Sequence, residues 1–153
     1  MKTTLLAVGK LRPSYREACD DYLRRLRRYG PIEEREIREA GRAPNSGLRR
    51  REESARLARA LPAGSQCVVL DRSGSPWSSE QLAQRLERWR TAATPVSLVI
   101  GGAFGLDPDF PVPGSSRWSL GPLTLPHMLV RLLLIEQVYR AWTMMSGHPY
   151  HRA

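Results

Sequence analysis

Apolar positions along this chain switch between two periods. Continuous short runs at Thr3–Val8 (TTLLAV), Gln66–Leu70 (QCVVL) and Val96–Ile100 (VSLVI) have the length and β-branched content of buried strands. Ile32–Glu39 (IEEREIRE) alternates weakly and predicts a more exposed strand, and Arg117–Leu120 predicts a last short one. Helical spacing fills the gaps. Ser14 stands three residues before Glu17, the spacing of a capping box, and opens a predicted helix to about Tyr29 that Gly30 and Pro31 stop. Leu48–Leu61 predicts a second helix, with Leu48, Ala55, Leu57, Ala58 and Leu61 turned inward. Ser78 and Gln81 make another capping box and open an amphipathic helix to about Arg90. Residues 41–47 (GRAPNSG) and Arg72–Trp77 (RSGSPW) are loop and turn by composition. Pro108, Pro111 and Pro113 leave any helix in Asp107–Gly114 short or broken.

The strongest element is His127–Met145. Neither Gly nor Pro interrupts it, Pro126 stands at its entrance, and Gly147 and Pro149 end it. Polar residues are few: Arg131, Glu136, Gln137, Arg140 and Thr143, with Glu136 and Arg140 in the favourable i,i+4 order. A helix apolar nearly all round is buried on more than one side. Its charges make a membrane span too costly. One face then packs on the chain's own sheet and the other meets a second subunit; a central helix of a monomer is the rival reading.

Strand, helix, strand, helix, strand, helix, strand, loop, strand, helix is the order of an α/β domain with a largely parallel sheet and flanking helices, here one domain over residues 1–153. Such sheets carry ligands beyond the carboxyl ends of their strands. Three of those ends stand out, at Leu70-Asp71, Gly101-Gly102 and Leu120-Gly121.

Composition narrows the partners. A net charge of +9, from 24 basic and 15 acidic side chains, points to a polyanion, although all but two of the basic residues are Arg, a skew that coding bias also produces. Arg24, Arg25, Arg27 and Arg28 read as a solvated helix face. Arg49, Arg50 and Arg51 open a helix against its macrodipole, either as a tolerated misfit or as an RNA contact. Cys19 and Cys67 make no disulfide framework, and Met1–Lys10 is too short and strand-like for a signal peptide, so a cytoplasmic protein is expected.

Familiar sites are missing from the sequence. It has no GxGxxG after a strand, no phosphate loop, no GxSxG elbow and no convincing metal cluster. Asp71, Asp107 and Asp109 read as cap or turn residues. What remains is a pocket of main chain: Gly101 and Gly102 remove side chains, and Leu120–Leu125 offers Thr124 as its only polar side chain, with Leu123 and Leu125 suited to a flat apolar ring. Pro122 and Pro126 stiffen that loop. Spacing alone does not separate such a pocket from a glycine turn and a tight crossover.

IGGAFGL, SLGPLTLPHMLVR, IEQVYRAW and the closing HPYHR resemble the ribosomal RNA large subunit methyltransferase H family, of the SPOUT class, and the likeness runs from LLAVGKL to the C-terminus. The resemblance implies a C-terminal trefoil knot, a homodimer through the last helix, and S-adenosylmethionine held by Leu70, Gly101, Leu120, Gly121, Pro122, Leu123, Thr124 and Leu125. It also implies methylation of N3 of a pseudouridine in 23S ribosomal RNA, on the assembled ribosome and without a metal. Only the Pro-rich segment 108–113 departs from the family's more helical pattern. No general base is assigned. His148 and His151 titrate near neutrality, Tyr150 is suited to stacking on a base, and Arg140 and Arg152 are suited to phosphate or a base carbonyl. A basic RNA-binding module without catalysis and a small nucleotide hydrolase are the alternatives.

Overall fold

A computed structural model describes residues 1–110 and 112–152, excluding the side chains of His151 and Arg152. Its elements are β1 (Thr3–Val8), α1 (Pro13–Leu26), β2 (Ile32–Ile37), α2 (Ser46–Ala60), β3 (Gln66–Pro76), α3 (Ser79–Thr91), β4 (Val96–Ile100), β5 (Ser116–Ser119) and α4 (His127–Met145), closed by a 3-10 turn at Pro149–Arg152. The five strands form one sheet in the order β2-β1-β4-β3-β5, and every pairing is parallel.

Alternation sorts the strand side chains onto two faces. Leu5, Ala7, Val68, Leu98 and Ile100 pack with α1, α3 and α4. Leu6, Val8, Cys67, Val69 and Val99 pack with Leu57 of α2 and with Phe110. β1 and β4 are buried on both faces, which explains their unbroken apolar runs. β2 is an edge strand, and its charged residues fit that half-covered place. Cys19 and Cys67 are free, buried, and in different clusters.

The boundaries of β4 and α4 agree with the sequence, as does the Ser78–Gln81 capping box. Five expectations need correction. β2 ends at Ile37 and not at Glu39. No capping box forms at Ser14: α1 starts one residue earlier at Pro13, whose fixed φ suits a first turn, and the helix stops at Leu26. α2 starts at Ser46 because Asn45 caps it, accepting from the Leu48 N–H at 2.8 Å. Its buried positions are Glu53, Ser54 and Leu57, and Leu48 in its first turn is exposed. β3 does not end at Asp71; it loops out after Leu70 and re-pairs with β5 at Ser75 and Pro76, so Leu70 and Ser75 both sit opposite Trp118. Gly74 is required in that bulge, since a Cβ there would lie 2.6 Å from the Arg117 carbonyl carbon. β5 itself is shifted one residue, to Ser116–Ser119.

Candidate functional site

β3 lies between β4 and β5, so Leu70, the last residue before the bulge of β3, neighbours Gly101, just past β4, and Leu120, just past β5, on the carboxyl side of the sheet. The loop after β5 is open. Gly121 has φ +116, which L side chains rarely adopt, and its N–H donates to the Ser119 hydroxyl at 3.1 Å. Pro122, Leu123 and Thr124 are exposed, and Leu123 keeps 73 % of its surface in solvent. Among the described residues, the N–H groups of Leu123, Thr124 and Leu125 donate to nothing in the chain. Main-chain donors next to a bare leucine are what a flat apolar ring with a polar edge requires, so an adenosyl group fits this loop. Leu70 and Leu120 close the bottom of it, both packed against the core.

The bulge of β3 supplies a residue that the sequence did not single out. Arg72 donates to the Thr124 hydroxyl at 2.8 Å, joining two of the three strand ends. Asp71 pairs with Arg117 and accepts from both the N–H and the hydroxyl of Ser73. Burial pushes the Asp71 carboxyl up, but the bonds from Ser73 and Arg117 outweigh it and hold the group below its ordinary value. Asp107 accepts from the Asp109 N–H at 3.0 Å. Asp71 and Asp107 thus serve turns, as the sequence led one to expect, and also ion pairs, Asp107 with Arg51 at 3.7 Å; among the described residues no group of three or more His, Cys, Asp or Glu could hold a metal ion.

Gly101 and Gly102 play a different part from the one expected. A Cβ on Gly101 would lie 2.7 Å from the Gly105 carbonyl carbon, and one on Gly102 would lie 2.6 Å from Glu53 Oε2. The missing side chains therefore let the chain approach itself, in a turn closed by Gly105 N–H to Gly102 O at 3.0 Å, and do not clear a path for a ligand. Both glycines are buried.

α4 begins where this loop ends, and its first turns are tied to the sheet. Arg131 is 1 % exposed, donates to Gly9 O at 2.7 Å and pairs with Glu36 at 2.9 Å and Glu34 at 3.1 Å. Arg16 of α1 pairs with the same two carboxylates. Burial, and then Arg131, push the His127 imidazole below its ordinary value.

The chain end folds back along α4. The Tyr150 hydroxyl lies 3.1 Å from Glu136 Oε1 and 3.1 Å from the Tyr22 hydroxyl, and its ring stands edge-on to Tyr139 at 4.8 Å. Arg140 lies over the Tyr150 ring and bonds Glu136 at 3.0 Å. Two site candidates, Tyr150 and Arg140, are thus brought together. Burial, Tyr22 and Glu136 all raise the Tyr150 hydroxyl, so it stays protonated and donates. Its ring is in contact with Tyr139 edge-on and with the Arg140 guanidinium. His148 is exposed, and its Nδ1 accepts from the Tyr150 N–H at 3.2 Å. The side chains of His151 and Arg152 lie outside the described residues.

The arginines divide between internal pairs and open surface. Arg24 and Arg25 pair with Asp21. Arg27 and Arg28 join Lys2 along an open groove of about 560 Å³ at the amino-terminal edge of the sheet, opposite the loop site. Arg49 is committed to Glu39 and Glu53.

The family profile described as "Predicted SPOUT methyltransferase" matches residues 1–151. Relatives named ribosomal RNA large subunit methyltransferase H occur in Ectopseudomonas mendocina and Pseudomonas aeruginosa, each 47 % identical over 99 % of this chain and 100 % of the relative. One of the same name in Pseudomonas putida is 46 % identical over the same shares. No helix is long and apolar enough to cross a membrane among the described residues. A full-length match of this kind, on a parallel sheet with an open loop after its last strand, places the chain in the SPOUT methyltransferase family.

Proposed function

We propose that this protein methylates N3 of a pseudouridine in 23S ribosomal RNA on the assembled ribosome, using S-adenosylmethionine. The observation that carries the reading is the loop Leu120–Leu125, with unengaged N–H groups and a bare Leu123 beside Leu70 and Gly101. Leu70, Gly101, Leu120, Gly121, Pro122, Leu123, Thr124 and Leu125 hold the cofactor, in the knot characteristic of the family. When bound, S-adenosylmethionine supplies a methyl already made electrophilic by its sulfonium. The chain's task is alignment: loop and strand ends fix one reactant, and the fixed geometry replaces a collision in solution. Transfer of that methyl to N3 of the base would require a residue of this chain to take the N3 proton.

That proton's acceptor is His148 or His151 of the tail, with Tyr150 acting as a donor because its hydroxyl stays protonated. Arg140 and Arg152 are the candidates for binding phosphate or a base carbonyl.

A homodimer through α4 is part of the proposal. Met128, Leu129 and Leu133 on α4 remain only half-buried. Tyr150 touches Glu136, roughly 14 Å along α4 from His127 at 1.5 Å per residue. Methyl transfer needs reacting atoms about 3 Å apart, so a tail reaches a loop if each protomer's tail serves its partner. Cytoplasm is the compartment where such a substrate is met.

Mass spectrometry of 23S ribosomal RNA from cells lacking the protein, before and after its return, tests the reading. One methyl group on a pseudouridine should vanish and reappear. If ribosomes bind in a salt-sensitive way with no methyl transferred, the protein is an RNA-binding module and the proposal fails.

A further inference from the structure

α2 spends its buried face in an unusual way. Of its three buried residues, two are polar: Glu53 and Ser54, each 1 % exposed. Buried carboxylates are rare unless they are bonded. Glu53 Oε1 accepts from the Ala40 N–H and from Arg49 Nε, both at 2.9 Å. Its Oε2 has no hydrogen-bond partner among the described residues and lies against Gly102, 2.6 Å from where a Cβ would stand. The Ser54 hydroxyl accepts from the Asp107 N–H at 2.9 Å. Arg49 reaches further, with its guanidinium 5.3 Å from the centre of the Phe104 ring.

These contacts converge on one segment. Glu53 supports Gly102, Arg49 covers Phe104 and Ser54 holds Asp107. An apolar side chain here would remove the unpaired Oε2 but leave the buried Ala40 N–H without an acceptor, so the bond to Ala40 accounts for Glu53 Oε1 and leaves Oε2 beside Gly102 to be explained. Holding a short main-chain turn at a set height does explain it. Of the three arginines that open α2, Arg49 is spent inside this arrangement, and Arg51 stands 3.7 Å from Asp107.

We propose that Arg49, Glu53 and Ser54 are positioning residues that clamp the 102–107 turn and thereby set the affinity of the methyl donor for the adjoining Gly101 main chain. The clamp touches no reacting atom. It acts through Gly102, and it rests on the reading that S-adenosylmethionine binds at this strand end.

The test compares three variants of the full-length protein with wild type. Glu53→Gln keeps the volume and removes the charge that Arg49 holds. Ser54→Ala removes one acceptor. Leu57→Ala is the control, because it loosens the same helix through apolar packing alone. Isothermal calorimetry with S-adenosylmethionine should show Kd raised about tenfold in Glu53→Gln and by a few fold in Ser54→Ala. The donor KM should rise with it, with kcat at saturating donor and the ribosome KM within about twofold of wild type. Leu57→Ala should lower the melting temperature at least as much and leave Kd within about twofold. Equal Kd in all four proteins, or an equal loss in Leu57→Ala, overturns the clamp. Amide exchange without donor gives an independent reading: Gly105 and Asp107 should exchange faster in Glu53→Gln and Ser54→Ala than in Leu57→Ala, and unchanged exchange also overturns it. Failure of wild type to bind the donor would sink the functional reading instead, and the exchange result would still decide the clamp.

Discussion

Arg131, in the second turn of α4, donates to the main-chain oxygen of Gly9, just past the end of β1, at 2.7 Å. One side chain thus fastens the helix that follows the ligand loop to the middle of the sheet. Its guanidinium also takes Val8 O at 3.3 Å and the carboxylates of Glu34 and Glu36, which Arg16 shares. Four charges and two carbonyls on β1, β2, α1 and α4 form one junction, with Arg131 buried at its centre and Glu36 at its exposed rim.

Loss of Arg131 should therefore cost stability heavily. Arg131→Ala leaves Glu34 and Glu36 short of a partner and two carbonyls unsatisfied, and a fall of about 3–5 kcal/mol is expected in urea unfolding. Arg131→Met keeps much of the volume and should lose less. Donor affinity should fall in any Arg131 variant that remains folded, because the loop is then anchored at one end only. A stability change under about 1 kcal/mol would show that the junction is redundant.

His127 makes stability depend on pH in a defined window. Its folded pKa lies below the ordinary 6.5 because burial, and then Arg131, disfavour the charged ring. Above the unfolded value neither state binds the proton, and the group contributes nothing. As pH falls through it, the unfolded chain takes up the proton that the folded chain resists, so stability drops. Urea midpoints measured from pH 7.5 down to 5.5 should decline in wild type and decline less in His127→Gln. Parallel curves would place His127 in an environment as favourable to charge as water.

Removing residues 148–153 should spare the fold and the donor affinity and abolish methyl transfer. The cost to stability is small, about 1 kcal/mol, from uncovering Tyr139 and removing one of the partners of Glu136, which keeps Arg140 and Gln137. Tyr150→Phe separates two roles. It keeps the ring on Tyr139 and deletes the donor to Glu136. Because the hydroxyl is held protonated, the wild-type pH–rate profile should contain no limb that this substitution removes below about pH 10. Such a limb would make Tyr150 the base. Full activity after truncation would remove the tail from the site altogether.

Elements whose burial is settled by their own residues were legible in the sequence. β4 is apolar throughout and α4 has no breaker, so β4 is covered on both faces, α4 is largely buried, and the bounds of both came out unchanged. The adjacency of Leu70, Gly101 and Leu120 followed from strand ends as places, but the sheet order was needed to make them neighbours. Glu53 and Ser54 were not legible. A carboxylate in an Arg-rich helix reads as a solvent-facing partner, and only the convergence of Gly102, Ala40 and Asp107 puts it inside. The glycines misled in the same way: a sequence gives the absence of a side chain and not what fills the space, which here is Gly105 and Glu53. Arg131 carried a usable signal, since a lone cation early in an apolar helix needs buried acceptors.

Leu123 offers the sharpest separation of binding from folding. A leucine with 73 % of its surface in water contributes little to the core, so Leu123→Ala should change the melting temperature by no more than about 1–2 °C. The same side chain is the apolar wall beside three unengaged N–H groups, and covering it with an adenine ring removes its surface from water on binding only. Truncation to Ala deletes that gain and should weaken S-adenosylmethionine by about tenfold, or roughly 1.4 kcal/mol. Leu123→Asp should weaken it more, since a carboxylate pressed against the ring loses its water. Calorimetry and thermal melts on the same samples read both quantities. An unchanged donor affinity in Leu123→Asp would mean that the ring lies elsewhere, and that the exposed leucine of this loop is covered by something other than the cofactor.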